Sequence, residues 1–301
     1  MAGPWTSVLF EPGFFTSAPV HVALLVGGIV AIVSGMVGTF TVIRGQSFAG
    51  HSLADIGTAG GSAAVLIGVP TLYGFVAMNL AAAGVMELIG IRRPRGRDLA
   101  TGIVLGVALG LAALFLYWDT IVSSTTGATV NVLFGSIFTI PTSTVPVIAA
   151  LGVLTLVLVW ILYRPLLLSS VSYELAAARG VPVRLIGIGY LLALSIAVSL
   201  SAITIGAILS TALLIGPAAT ALRLTSRTGV ALTLASAIGV ITTWIGVLLA
   251  YDSTAWSPGQ QGWPVSFCIV AVIFLVYVLT SLSTRRTHER WPNPVRPEEI
   301  H

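Results

Sequence analysis

Four ionisable residues in or at the ends of apolar stretches are the first candidates for chemistry: His21, His51, Asp55 and Glu87. A titratable group inside a membrane-spanning stretch is costly, so it marks an ion or substrate path by default. His21 opens the first apolar run and also suits a boundary residue. Glu87 stands close to two arginines and also suits an interfacial ion pair. His51 and Asp55 are the strongest candidates, because their spacing is itself informative.

His51 and Asp55 are four residues apart, and residues at that spacing share one face of a helix. An imidazole nitrogen and a carboxylate oxygen placed in this way can bind one divalent cation. Two ligands do not complete a coordination shell of about four to six, so a metal site needs water, another span or a second copy of the chain. The same spacing also allows a histidine–aspartate hydrogen bond that only stabilises the helix.

The elements that must position this pair are membrane helices. Of the 301 residues, 56% are hydrophobic and 8% are charged, with a mean hydropathy of +1.01. Soluble domains carry about 25% charged residues, and disordered chains have low hydrophobicity, so both classes are excluded. Cys268 is the single cysteine, which excludes a disulfide scaffold. The composition therefore predicts an all-α integral membrane protein, a polytopic bundle of about eight or nine transmembrane helices.

Apolar runs of about 20 residues mark the individual spans. Between 185 and 222 there is no charged residue, and one helix of that length would be about 57 Å long. Because this is nearly twice the thickness of the hydrocarbon core, we predict a turn near Thr204 and Gly206. Nine spans follow, at roughly 20–43, 52–69, 72–91, 99–118, 144–163, 185–203, 205–222, 229–250 and 264–283.

The arginines predict the orientation of these spans. All 14 basic residues are arginine, and with nine spans every one of them falls on the same side. The positive-inside rule makes that side the cytoplasm, with the N-terminus outside and the C-terminus inside. Residues 1–284 then form one transmembrane domain, and 285–301 form a charged cytoplasmic tail that we predict to be disordered. Without a lysine the chain has no Walker A loop, so it does not bind ATP by that route.

Small residues follow the pair along the same predicted helix. Gly57, Gly60, Gly61, Ala63 and Ala64 stand within eight positions of one another. Such a stretch lets a second helix, or a permeating ion, come close to the backbone.

A short cytoplasmic helix is predicted at about 172–182. Ser170 or Ser172 could cap its N-terminus, and Glu174 suits the positive end of the helix dipole. Gly180, followed by Pro182, ends it. This helix is too short to span a membrane. It is either an ordinary loop helix or a docking element for a soluble partner.

Four segments resemble the permeases of metal-ion ABC importers, the zinc, manganese and iron family also called ABC-3. They occur in the family's order across about 20–284, which is nearly the whole chain. The segments are 44–50 (RGQSFAG), 133–137 (LFGSI), 174–182 (ELAAARGVP) and 213–221 (LLIGPAATA). The resemblance implies a permease of the type II importer kind.

The resemblance also implies partners. We expect a second permease copy in a homodimer, two cytoplasmic ATP-binding subunits, and an extracytoplasmic metal-binding solute-binding protein, with no role for nucleic acid. We expect no intrinsic cofactor, since Mn²⁺ or Zn²⁺ would be bound only transiently as cargo. A dimer would bring two copies of His51 and Asp55 around one axis.

Individual positions carry implied roles as well. The family places an aspartate first and a histidine four residues later, whereas here His51 comes first and Asp55 second. We read this as a metal-coordinating pair with its two residue types exchanged. In the family's coupling helix the implied ATPase-contacting positions are Ser172, Glu174, Ala176, Gly180 and Pro182. Ser172 stands where the family usually has aspartate.

These observations together predict the transmembrane permease of an ABC importer for a divalent transition metal. Manganese or zinc is expected before iron, and the chain itself is not an enzyme. Three alternatives remain open. They are an ABC permease for a metal chelate or vitamin, a secondary transporter driven by an ion gradient, and a membrane scaffold that transports nothing.

Overall fold

The computed structural model of the protein describes residues 14–90, 94–123, 127–135, 137–171, 176, 178–256 and 262–288. Within these residues the chain forms ten α-helices and no β-strand. Two short 3₁₀ turns, Ile137–Thr139 and Thr142–Thr144, precede the sixth helix. The helices are α1 (Ala18–Ile43), α2 (Ser47–Leu66), α3 (Thr71–Gly90), α4 (Pro94–Ser123), α5 (Gly127–Phe134), α6 (Val145–Val171), α7 (Val183–Ile205), α8 (Ala207–Leu224), α9 (Thr228–Trp256) and α10 (Val265–His288).

The all-α bundle predicted from the sequence is confirmed, and each of the nine predicted spans falls on a helix. Among the described residues, seven helices are long and apolar enough to cross a membrane: α1, α4 and α6 to α10. The other two predicted spans, α2 and α3, are less apolar or shorter. α2 needs little lipid-facing surface, because α3, α4, α7 and α8 pack around it.

Several predicted helix ends differ from the structure, and those of α6 and α10 are two examples. α6 does not stop at 163 but continues to Val171 with Pro165 inside it. The turns after residue 163 are stabilised by the burial of Leu166. They are also stabilised by hydrogen bonds that the hydroxyls of Ser169 and Ser170 donate to the Leu166 carbonyl oxygen. α10 continues to His288, so the helix includes the first residues of the predicted tail. The rest of that tail lies outside the described residues.

The predicted turn between α7 and α8 is confirmed at Gly206. This residue has φ +83° and ψ 159°, a combination that is essentially restricted to glycine. Gly135, at the end of α5, has φ +71° and lies against it. A Cβ on either glycine would collide with the backbone of the other's segment. The connection between α4 and α6 is therefore packed onto the α7–α8 corner.

The predicted small-residue face of α2 is also confirmed. The α2 and α3 backbones cross so closely that a Cβ on Gly60 would collide with the carbonyl oxygen of Gly74. Gly57 and Gly61 leave room for the ring of Phe75 in the same way. α2 and α3 therefore form one tightly packed unit, as small residues allow between membrane helices.

Candidate metal site

The structure brings His51 and Asp55 together on α2. Nε2 of His51 lies 3.5 Å from Oδ2 of Asp55, one helical turn further along. The i, i+4 spacing accounts for this approach, since both side chains leave the same face of the helix. A nitrogen and an oxygen donor are thus held side by side, at a distance that one cation between or beside them could share.

A third residue, Thr211 of α8, orients the imidazole. Its hydroxyl oxygen lies 3.1 Å from Nδ1 of His51. When Nδ1 carries the proton and donates it to this hydroxyl, Nε2 keeps its lone pair on the side of Asp55. Sequence reasoning missed Thr211 because the contact joins residues far apart in the chain. Its sole sequence signal is its place two residues before the family-like segment at 213–221.

The pair is accessible at the surface of the single chain. The His51 side chain is 49% exposed and that of Asp55 is 20% exposed. In the part of the chain that the structure describes, there is no group of three or more histidine, cysteine, aspartate or glutamate residues able to bind a metal. One chain therefore supplies two such ligands, and further ligands have to come from water, hydroxyls or another molecule.

The contact with Thr211 also gives the position of the pair along α8. Arg223 lies at the other end of that helix. At the helical rise of 1.5 Å per residue, it is about 18 Å from Thr211 along the helix axis. The hydrocarbon core of a bilayer is about 30 Å thick. Measured along α8, His51 is thus far from the arginine-bearing end, although it lies only in the second turn of α2.

Two of the other candidate residues, His21 and Cys268, have surroundings of their own. Nε2 of His21 lies 2.8 Å from the carbonyl oxygen of Phe15, which matches the simpler role of a boundary residue. Cys268 is buried in α10 as a free thiol. Glu87 falls within α3, but its side chain lies outside the described part of the structure.

The predicted ATPase-coupling residues are described in part. Ser172 and Glu174 lie outside the described residues, and Ser170, the other predicted cap, belongs to the last turn of α6. Ala176 is fully buried, and its carbonyl oxygen accepts a hydrogen bond from the backbone N–H of Val181.

Gly180 has φ +73°, as expected of a glycine that ends a helix. Pro182 then directly precedes α7. The end of the predicted segment thus has the expected turn, whereas the docking role of the segment stays a prediction.

Comparison with known proteins gives consistent matches along the chain. The sequence profile described as the ABC 3 transport family matches residues 18–283. The manganese transport system membrane protein MntC of Halalkalibacterium halodurans is 30% identical over 76% of this chain and 78% of its own length. The protein of the same name from Listeria innocua is 29% identical over 81% of this chain and 86% of its own length.

Among solved structures, PsaBC from Streptococcus pneumoniae in complex with Fab contains a chain with a similar fold. The TM-score is 0.76 at 24% sequence identity, and the match covers 89% of this chain and 92% of the other.

Proposed function

The chain belongs to the ABC 3 transport family, and from that membership we propose that it is the permease of an importer for a divalent transition metal. As a permease it is a multi-pass membrane protein and not an enzyme. It binds and releases its cargo without covalent chemistry, and a partner chain hydrolyses ATP. The metal is cargo and not a resident cofactor.

The observation that carries this proposal is the His51–Asp55 pair. One imidazole nitrogen and one carboxylate oxygen suit manganese, iron and zinc. A second copy of the chain, related by a two-fold axis, would add the same two groups. The dimer would then offer two nitrogens and two oxygens around one ion, which supports a homodimer with the pairs facing each other.

The exposure of the pair supports the same arrangement. An ionisable pair facing hydrocarbon is costly, and such groups normally face the interior of a bundle or a water-filled path. Burying the exposed half of His51 against a partner copy would remove this cost. The distance of about 18 Å between Thr211 and Arg223 along α8 supports a site away from the arginine-bearing end of that helix.

We propose manganese as the first cargo and zinc as the second. The two relatives described above are named as manganese transport proteins. Zinc binds a nitrogen and oxygen site more tightly than manganese does, so the pair alone does not select manganese. A transport site also has to release its ion, which favours weak binding. Selectivity is therefore assigned to the extracytoplasmic solute-binding partner.

Two ATP-binding subunits are proposed to bind on the cytoplasmic side. ATP binding and hydrolysis there would move the two permease copies between outward-facing and inward-facing arrangements. The predicted 172–182 segment would transmit that movement. The N-terminus is assigned to the outside and the C-terminus to the cytoplasm, as the arginine distribution predicts.

The proposal is tested by manganese uptake into proteoliposomes that contain the permease with its ATPase, together with the solute-binding partner. ATP-dependent uptake is expected in the wild type. His51→Ala and Asp55→Ala should each abolish it, because each removes one ligand type from a site with few ligands. His21→Ala is the matched control, since that histidine contacts the Phe15 carbonyl and lies outside the pair.

Other results would contradict the proposal in recognisable ways. Wild-type uptake by a well-folded His51→Ala or Asp55→Ala variant would remove the pair from the path. Uptake of a chelate but not of the free ion would favour the chelate permease. Uptake that follows an ion gradient without ATP would favour a secondary transporter.

A further inference from the structure

Arg44 joins three helices at one end of the bundle. It follows directly after α1, and its Nη1 donates hydrogen bonds to Oγ of Ser169 at 3.0 Å and of Ser170 at 3.5 Å, both in the last turn of α6. Its guanidinium carbon lies 5.2 Å from the ring centroid of Tyr190 in α7. We refer to Arg44, Ser169, Ser170 and Tyr190 as the Arg44 cluster.

The cluster is anchored back onto α1. The hydroxyl of Tyr190 donates a hydrogen bond to Oγ1 of Thr41 at 2.8 Å, one turn before Arg44. Tyr190 is fully buried, and Arg44 is partly buried. Interactions of a charged group are stronger where water is partly excluded. The guanidinium group of Arg44 therefore links the end of α1 to α6 and α7.

The same arginine is only a short distance from the candidate metal pair. α2 begins three residues after Arg44, and His51 lies in its second turn. The corner between them is tight, because Gly45 has φ +63° and the backbone N–H of Gln46 donates to the carbonyl oxygen of Thr41 at 2.9 Å. There is therefore little flexible chain between Arg44 and α2, so a displacement of Arg44 is passed on to α2.

We propose that Arg44 transmits movement of the paired ends of α6 and α7 to α2, the helix that carries His51 and Asp55. This inference rests on the proposed function, in which the ATPase acts on the connection between α6 and α7. Coupling between distant sites travels through packed side chains, hydrogen bonds and rigid elements. Arg44 connects these elements directly, because its side chain contacts α6 and α7 and its backbone leads into α2.

The chemistry of the cluster requires arginine specifically. A guanidinium group is planar, so it can donate hydrogen bonds in its plane to two serines while its face lies on an aromatic ring. A lysine ammonium keeps the charge but is a compact point donor without that face. Arg44→Lys therefore separates the geometry of the cluster from its charge.

The chain also contains a matched control. Arg223 of α8 donates to Oγ of Ser281 and to the hydroxyl of Tyr277, both at 2.8 Å, and lies 4.8 Å from the Tyr277 ring centroid. These partners belong to α10. The two clusters have the same residue types, but the Arg223 cluster includes neither α6 nor α7.

The experiment compares Arg44→Lys with Arg223→Lys in proteoliposomes that contain the permease and its ATPase, together with the solute-binding partner. Manganese uptake and ATP hydrolysis are measured in the same preparation, and their ratio is the readout. Arg44→Lys should lower uptake per ATP hydrolysed about tenfold, within the range typical of coupling between sites. Arg223→Lys should leave the ratio unchanged.

A second set of variants tests the proposed role of Arg44 if Arg44→Lys does not fold. Ser169→Ala combined with Ser170→Ala keeps Arg44 on Tyr190 but removes both serine hydroxyl acceptors on α6, and it should lower the same ratio. Ser169→Thr combined with Ser170→Thr keeps both hydroxyl groups and should restore it. A purely structural role would not follow the presence of the hydroxyl groups in this way.

The outcomes separate this inference from the proposed function. If the wild-type complex shows no ATP-driven manganese uptake, the proposed function and the inference both fail. If wild-type uptake is normal and the ratio is unchanged in Arg44→Lys or in the double alanine variant, only the inference fails. An equal loss in Arg223→Lys would also overturn it, because any arginine–tyrosine cluster would then have the same effect.

Discussion

The hydroxyl of Thr211 and Nδ1 of His51 lie 3.1 Å apart, so a neutral hydroxyl on α8 holds the imidazole of α2. Residues that orient a metal ligand from behind matter nearly as much as the ligand itself. If His51 binds a metal through Nε2, its ring orientation depends on this hydroxyl group.

Thr211→Val is expected to lower the efficiency of manganese uptake by about tenfold or more, the usual effect of losing such a partner. Valine keeps the shape of the side chain but removes the hydroxyl group. Thr211→Ser should retain most of the activity. The measurement is the dependence of the initial uptake rate on manganese concentration.

Thr220→Val is the control for this prediction. Thr220 is on the same helix, but its hydroxyl donates to the carbonyl oxygen of Gly216 at 2.8 Å and has no part in the site. A Thr211→Val variant with wild-type concentration dependence would show that the hydroxyl does not position His51.

Exchanging the two ligand types tests whether His51 and Asp55 act as a unit. The double variant His51→Asp with Asp55→His keeps one nitrogen and one oxygen on the same face of α2. Measurable manganese uptake is expected, because the same two ligand types remain. The alanine double variant should be scarcely worse than either single variant, since residues that act together are not additive.

The alternative role for the pair, a stabilising histidine–aspartate hydrogen bond, makes a different prediction. The alanine variants would then lose thermal stability, and those that remain folded would still transport. Measuring the unfolding temperature of each purified variant beside its uptake rate separates the two roles.

Gly74→Ala is expected to destabilise the protein. The added methyl group would collide with the carbonyl oxygen of Gly60 and approach the Cβ of Ala64 to 2.7 Å. Overpacking of this kind costs about 1–3 kcal/mol. Gly84→Ala on the same helix is the control, because a Cβ there meets no atom within 4 Å. A lower unfolding temperature for both variants, or for neither, would contradict the close crossing of α2 and α3.

Gly180→Val is expected to lower uptake per ATP hydrolysed while membrane insertion is retained. A Cβ at Gly180 meets no neighbour, so the cost arises from the backbone, whose φ of +73° disfavours β-branched residues. Gly180→Asn should be milder, because asparagine tolerates this conformation. Equal transport and ATP hydrolysis in the valine variant and the wild type would argue against a coupling role for this turn.

The predicted orientation is tested by labelling single cysteines on intact cells. Cys268 is first replaced by alanine to give a cysteine-free background. Val69→Cys, between α2 and α3, should react with an impermeant maleimide from outside. Ser226→Cys, between α8 and α9, should react only after permeabilisation. The reverse pattern would place the arginines outside.

Sequence reasoning predicted the features that depend on local pattern. Apolar runs gave the nine long helices, and the length of the uncharged stretch required a turn near Gly206. The i, i+4 spacing placed His51 beside Asp55. In each case the residues involved are close in the chain, so helix geometry alone determines their relationship.

Features that depend on packing between distant segments could not be predicted in the same way. The contact between Thr211 and His51 exists only because α8 packs on α2. α5 has eight residues, too few to register as an apolar run, and none of the predicted spans covers it. α6 continues through Pro165 because the turns beyond it pack against neighbours such as Arg44, although an arginine and a proline there indicated an end.

The close approach of Gly135 to Gly206 also determines the order of folding steps during synthesis of the protein. Gly135 is synthesised before α7 and α8. The segment that ends at Gly135 can therefore pack on the α7–α8 corner only after these two later helices have formed. Contacts between distant segments form late, because their loop-closure entropy is lost before they stabilise the chain. A chain stalled before Ala207 would therefore contain its first seven helices, with the joint at Gly135 still open.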